Sequence, residues 1–140
     1  MDLNLKGHRA LITGASKGIG FAVAKSLLSE GCDVHLVART ASTLEEAASR
    51  LKALNSGVVT YSAVDLSESS NISHLLDEVG EINILVNNAG AIPGGDLQTI
   101  DEKKWRDAWD LKVFGYINLS RAVYQQMSKL ESGVIINVTG

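Results

Sequence analysis

Apolar and polar positions along this 140-residue chain alternate between two patterns. Short, continuous apolar runs read as strands covered on both faces, and apolar residues spaced three and four apart read as amphipathic helices. The strand-like runs are Arg9 to Thr13, Val34 to Ala38, Val58 to Val64, Ile82 to Asn87 and Val134 to Val138. Ile19, Val23 and Leu27 predict the apolar face of a first helix that stops near Gly31. Thr43-x-x-Glu46 reads as a capping box for a second helix carrying Leu44, Ala47, Ala48, Leu51 and Leu54. Ser67 is expected to cap a third helix with Ile72, Leu75, Leu76 and Val79 on its apolar side. Asp101 to Leu130 reads as one long helix or two abutting ones.

Strands that alternate with helices predict an α/β fold, a Rossmann-like doubly wound parallel sheet. The expected strand order is 3-2-1-4-5, with a ligand crevice where the order reverses, between strands one and four. No internal repeat or interdomain linker interrupts residues 1–140, which read as one dinucleotide-binding domain.

The ends of those two strands carry the chemistry. Strand one runs into Thr13-Gly14-Ala15-Ser16-Lys17-Gly18-Ile19-Gly20 and then into the first helix. Glycines let a phosphate approach the backbone where a Cβ would block it, and the helix start offers free N–H groups and a positive dipole end. Three glycines in such a turn also suit close helix–sheet packing alone. Strand four runs into Asn87-Asn88-Ala89-Gly90.

Together, Thr13-Gly-x-x-x-Gly-Ile-Gly20 and Asn87-Asn88-Ala89-Gly90 closely resemble the short-chain dehydrogenase/reductase family, over Leu5 to Gly140. The resemblance implies an oxidoreductase that moves a hydride between a nicotinamide and a small carbonyl or alcohol substrate. It implies cofactor contacts from Gly14, Ser16, Lys17, Gly18, Ile19 and Gly20. Asp65 is then expected at the adenine amino group with Leu66 flanking the ring, Asn88 in the strand-four turn, and Ala89-Gly90 beside the nicotinamide-side ribose.

The residues at the end of strand two speak to which nicotinamide cofactor. An acid there would accept from the ribose hydroxyls and repel a 2′-phosphate, whereas this chain has Ala38-Arg39. Arg39 forms bidentate pairs with phosphate, and Lys17 approaches from the glycine loop, so NADP(H) is expected over NAD(H). The alternative is that both are solvated surface charges.

The catalytic pattern departs from the family. Aligned on Gly115, Arg121-Ala122 and Met127, the family's asparagine position falls on Lys112; Asp110 and Asn118 break the spacing. After strand five, Asn137-Val138-Thr139-Gly140 puts Gly140 at the family's serine position, with Thr139 one residue early. The family's Tyr-x-x-x-Lys has no counterpart, since Tyr61, Tyr116 and Tyr124 stand elsewhere. The expectation is that this chain is the N-terminal, cofactor-binding portion of a longer single-domain enzyme and is inactive alone. Competing readings are a non-catalytic dinucleotide-binding or regulatory protein, and an interaction module dimerising through the 101–130 helix. Lys112 at that position would face the crevice and take over part of the missing lysine's electrostatic work; the alternative is an alignment one turn off, or a side chain that snorkels to solvent.

Composition adds little. A net charge of −3 speaks against nucleic acid, and a hydrophobic fraction of 45 % without a membrane-length run or signal peptide predicts a cytoplasmic protein with no membrane partner. Cys32, the one cysteine, has no partner for an internal disulfide, and no metal site is expected. By resemblance, the full-length protein is expected to be a homodimer or homotetramer.

Overall fold

A computed structural model describes residues 2–139 of the protein. Gly140, expected at the family's serine position, lies outside the described residues. Five parallel strands form one sheet: β1 (Arg9–Thr13), β2 (Asp33–Ala38), β3 (Val59–Ala63), β4 (Ile84–Asn87) and β5 (Val134–Asn137). Their order is β3-β2-β1-β4-β5, as the alternation predicts. The central register sets Ala10 against Val34 on one side and Ile84 on the other.

Alternate residues of each strand point to opposite faces, and helices cover both. Ala10, Ile12, Leu36 and Val86 pack with α1 (Gly18–Ser29) and α2 (Ala41–Lys52). Leu11, Val37 and Leu85 pack with α3 (Ser70–Val79) and the last helix, α5 (Gly115–Leu130). At the β5 edge the first of these faces is left open, with Val134 and Ile136 exposed. Among the described residues, no helix is long and apolar enough to cross a membrane.

The helices correct four local expectations. The buried stripe of α1 is Gly20, Ala24 and Leu28; Val23 and Leu27 flank it, and Ile19 is 62 % exposed. Small residues face the sheet because the first turn lies against the Gly14 backbone, where a side chain has no room. Thr43 does not cap α2. Only Arg39 and Thr40 separate β2 from that helix, and the Thr43 hydroxyl donates to the Thr40 carbonyl at 2.9 Å. Leu54 lies past the helix end and is exposed. Nor does Ser67 cap α3, which begins at Ser70; its hydroxyl donates instead to the stronger acceptor, the Asp65 carboxylate, at 2.7 Å.

The 101–130 segment is a continuous run of helix with a wide turn inside it. Asp101 caps α4 (Glu102–Trp109), accepting from the Lys104 N–H at 2.9 Å. A five-residue π turn, Asp110–Phe114, then leads directly into α5.

Among the polar side chains buried in the sheet, one is titratable. His35 on β2 reaches two hydroxyls of β3, Thr60 Oγ1 at 2.7 Å from Nδ1 and Ser62 Oγ at 2.8 Å from Nε2. Both are on its own face because residues two apart along a strand share a face. Burial pushes the His35 imidazole down to about 4.

Candidate functional site

The loops after β1 and β4 meet at the reversal of strand order, and Thr13 joins them. Its buried Oγ1 accepts from the backbone N–H groups of Asn88 and Ala89, each at 2.9 Å, and donates to the Val86 carbonyl at 3.4 Å. Asn88 answers with its side chain, donating to the carbonyls of Thr13 at 3.1 Å and Gly14 at 3.2 Å. Asn88 thus holds the strand-four turn, as expected, and locks it to the glycine loop.

This contact explains two of the three glycines. A Cβ on Gly14 would lie 2.9 Å from both Ala89 Cα and Asn88 Nδ2, and its φ of +63° also favours glycine. A Cβ on Gly20 would run into the Gly14 carbonyl and come within 2.6 Å of Asn88 Nδ2. Gly18, at φ +58°, faces open space, so its backbone conformation alone demands glycine. The α1 N-terminus follows at Gly18, where Lys17 gives no side-chain cap. Its first N–H groups therefore face the cleft without a protein side chain on them.

The resulting cleft has a volume of about 510 Å³. Gly14, Ser16, Lys17, Gly18 and Ile19 line one wall, Ala38, Arg39, Thr40 and Thr43 the outer end, and Asn88, Ala89, Gly90 and Leu111 the inner end. Leu66 is buried and contributes part of the floor. Asp65 stands behind this lining. Its Oδ1 accepts from the Ser67 hydroxyl at 2.7 Å and the Ser67 N–H at 3.0 Å. The Ser67 hydroxyl, then its N–H and the Arg39 charge hold the Asp65 carboxyl below its ordinary value, against a smaller opposing effect of burial.

A second, mostly apolar groove of about 620 Å³ opens beyond Gly90. Ile92, Trp105, Trp109, Val113 and Ile117 form its walls, and Lys112, Tyr116, Asn137 and Thr139 its polar end. Thr139 therefore faces the groove, on the same side as Asn137, two residues before it. Buried Asn87 ties β5 and α5 together, donating to Asn137 Oδ1 and Ser120 Oγ, both at 2.9 Å. Tyr116 donates to the Val138 carbonyl at 3.0 Å, and burial pushes its phenol above the ordinary range. Lys112 is half-buried, with Nζ 3.4 Å from the same carbonyl.

The motif residues on the β1 and β4 loops are thus brought to one cleft, with Arg39 at its rim. Sequence reasoning passed over Thr13 as a tie, Asn87, and the groove aromatics. The available signals were a hydroxyl residue placed directly before the first glycine, a second asparagine beside Asn88, and Tyr116 one helical turn after Lys112.

Comparison with known proteins agrees with this geometry. The short chain dehydrogenase family profile matches residues 8–140. An uncharacterized oxidoreductase of Bacillus subtilis, YvrD, is 34 % identical, the match covering 99 % of this chain and 53 % of that protein. The 3-oxoacyl-[acyl-carrier-protein] reductase FabG of Escherichia coli is 32 % identical, over 97 % of this chain and 56 % of its own. L-Sorbose reductase from Gluconobacter frateurii, solved with NADPH and L-sorbose, superposes with a TM-score of 0.91 at 35 % identity, over 98 % of this chain and 54 % of that one. A metagenomic short-chain oxidoreductase solved with NADP has a TM-score of 0.88 at 35 % identity, over 97 % and 63 %. The chain spans about half the length of the curated relatives it matches. With a matching profile along nearly all its length, a glycine loop locked to Asn88 and a parallel sheet in the expected order, this chain belongs to the short-chain dehydrogenase/reductase family.

Proposed function

We propose that this chain carries the cofactor-binding half of an oxidoreductase that prefers NADP(H) and acts on a small carbonyl or alcohol substrate. The observation that carries the preference is the pair of exposed cations, Lys17 and Arg39, on the rim of one cleft, with Ala38 where an acid would meet a ribose diol. Arg39 supplies a planar fork for a 2′-phosphate, and Lys17 a point charge from the glycine loop.

The residues present suit a dinucleotide. Gly14 and Gly20 keep the loop close to Asn88 where a Cβ would collide, and the open α1 N-terminus presents N–H groups to a pyrophosphate. When bound, the nicotinamide supplies or accepts a hydride at the substrate carbon. Ala89 and Gly90 form the backbone wall at the nicotinamide end, and Leu66 the apolar floor at the adenine end. The structures of L-sorbose reductase with NADPH and of the metagenomic oxidoreductase with NADP support the same cofactor class.

The test is a fluorescence titration of the complete enzyme with NADPH and NADH. NADPH is expected to bind at least ~10-fold tighter, the value of one charge-assisted phosphate contact. Arg39→Asp is expected to reverse the order, because a carboxylate accepts from ribose hydroxyls and repels a phosphate. Equal affinities in the parent protein would overturn the preference.

A further inference from the structure

Gly115 stands where a helix former would be expected. Its φ of −59° and ψ of −43° are ordinary for an α-helix, so its backbone conformation does not call for glycine. It lies inside the continuous helical run from Glu102 to Leu130, where glycine is less favourable than alanine. Space supplies the reason. A Cβ on Gly115 would lie 3.1 Å from the Leu66 carbonyl oxygen and 3.8 Å from its carbonyl carbon, the first closer than ordinary van der Waals contact. The start of α5 therefore bears on the main chain between β3 and α3 with no side chain in between.

That connection carries part of the floor of the cofactor cleft. Leu66 is buried and lines the cleft, which Gly115 itself does not reach. The turn holding Leu66 is tied at its flanks. The Val64 N–H donates to the Ala38 carbonyl at 2.8 Å, and Asn71 Nδ2 donates to the Asp65 carbonyl at 2.9 Å. Asp65 Oδ1 closes on the Ser67 hydroxyl and N–H. None of these bonds reaches the Leu66 carbonyl, which rests against Gly115. The helix side is tied as well. The Gly115 N–H donates to the Asp110 carbonyl and closes the π turn Asp110–Phe114, a helical irregularity that concentrates at functional sites. Leu111 of that turn lines the inner end of the same cleft.

We propose that Gly115 is a positioning residue for the cofactor: by having no side chain it lets α5 seat the Leu66 main chain at the depth that the adenine end of the dinucleotide requires. The inference rests on the dinucleotide reading above. A side chain at position 115 pushes Leu66 away from α5, and the open cleft is the side on which the turn has room. In the free protein the turn yields into that space at small cost. A bound adenosine needs the same space, so the strain is felt on binding rather than on folding. The nicotinamide end, walled by Ala89 and Gly90, is left as it was. Gly115 thereby differs from Gly14 and Gly20, whose missing side chains clear Asn88 and the glycine loop itself.

The experiment titrates the complete enzyme with 2′,5′-ADP, which carries the adenosine end without the nicotinamide, by calorimetry. The parent is compared with Gly115→Ala and Gly115→Val. Affinity is expected to fall ~3-fold in Gly115→Ala and ~10-fold or more in Gly115→Val, the range that modest overpacking gives. The Tm of Gly115→Ala is expected to stay within about 2 °C of the parent's, because the gain in helix propensity offsets the contact. In ketone reduction, KM for NADPH is expected to rise by the same factors while kcat at saturation stays within about twofold. A general disturbance of the helix start would instead lower kcat, since Tyr116 and Ile117 line the apolar groove. Parent-like affinity for 2′,5′-ADP in Gly115→Val would overturn the proposal; where that variant does not fold, parent-like affinity in Gly115→Ala would do so. Loss of kcat in Gly115→Ala would assign Gly115 a structural role and overturn it as well. A parent enzyme that binds no 2′,5′-ADP would instead remove the dinucleotide reading.

Discussion

His35 makes the stability of this fold depend on pH. Between its folded value of about 4 and its ordinary value near 6.5, the unfolded chain binds a proton that the folded chain refuses. Stability therefore rises with pH through that window, is complete above about 6.5, and is lost as pH falls. The shift corresponds to about 2–3 kcal/mol lost between pH 7 and pH 4. The Arg9, Lys52 and Glu78 side chains line the opening beside His35. The assay is urea denaturation of the protein at pH 7, 6, 5 and 4, beside His35→Gln. The variant has no imidazole to charge, so its stability is expected to change less across the same range, even though it starts lower through lost packing and a lost hydroxyl contact. Parallel pH profiles for the two proteins would refute the reasoning, because the slope would then belong to other groups.

Two substitutions probe the lock between the β1 and β4 loops. Thr13→Val removes the hydroxyl that accepts from the Asn88 and Ala89 N–H groups, and is expected to cost about 1–3 kcal/mol in thermal denaturation, with Thr13→Ser restoring most of it. An unchanged Tm in Thr13→Val would show that Thr13 Oγ1 is not the tie. Gly20→Ala drives a methyl group against the Gly14 carbonyl and Asn88 Nδ2, so the loop must shift; NADPH affinity in fluorescence titration is expected to fall ~10-fold or more, with about 1–3 kcal/mol of stability lost to overpacking. Parent-like affinity would mean that the loop has slack the structure does not show.

Sheet order and the place of the cleft were legible from the chain alone, because both rest on local signals. Apolar runs such as Leu11–Ile12 and Leu85–Val86 mark strands buried on two faces, and their alternation with helices leaves few ways to wind a parallel sheet. Glycines at 14, 18 and 20 mark a backbone that must turn sharply and pack closely whatever surrounds it. What needed the tertiary structure was the direction and company of individual side chains. Periodicity in α1 allowed the stripe of Ile19, Val23 and Leu27. The Gly14 backbone and Asn88 rotate the helix instead so that Gly20, Ala24 and Leu28 face the sheet, leaving Ile19 in the cleft. Thr43 and Ser67 have capping chemistry, but the length of the β2–α2 connection and the nearby Asp65 carboxylate decide what they bond. His35 reads as a polar interruption of a strand until the β2–β3 register sets two hydroxyls beside it. Spacing placed Lys112 on a helix. The π turn beneath it and the bare backbone of Gly90 against its stem carry its ammonium to the Val138 carbonyl in the apolar groove, through contacts between segments far apart in the chain.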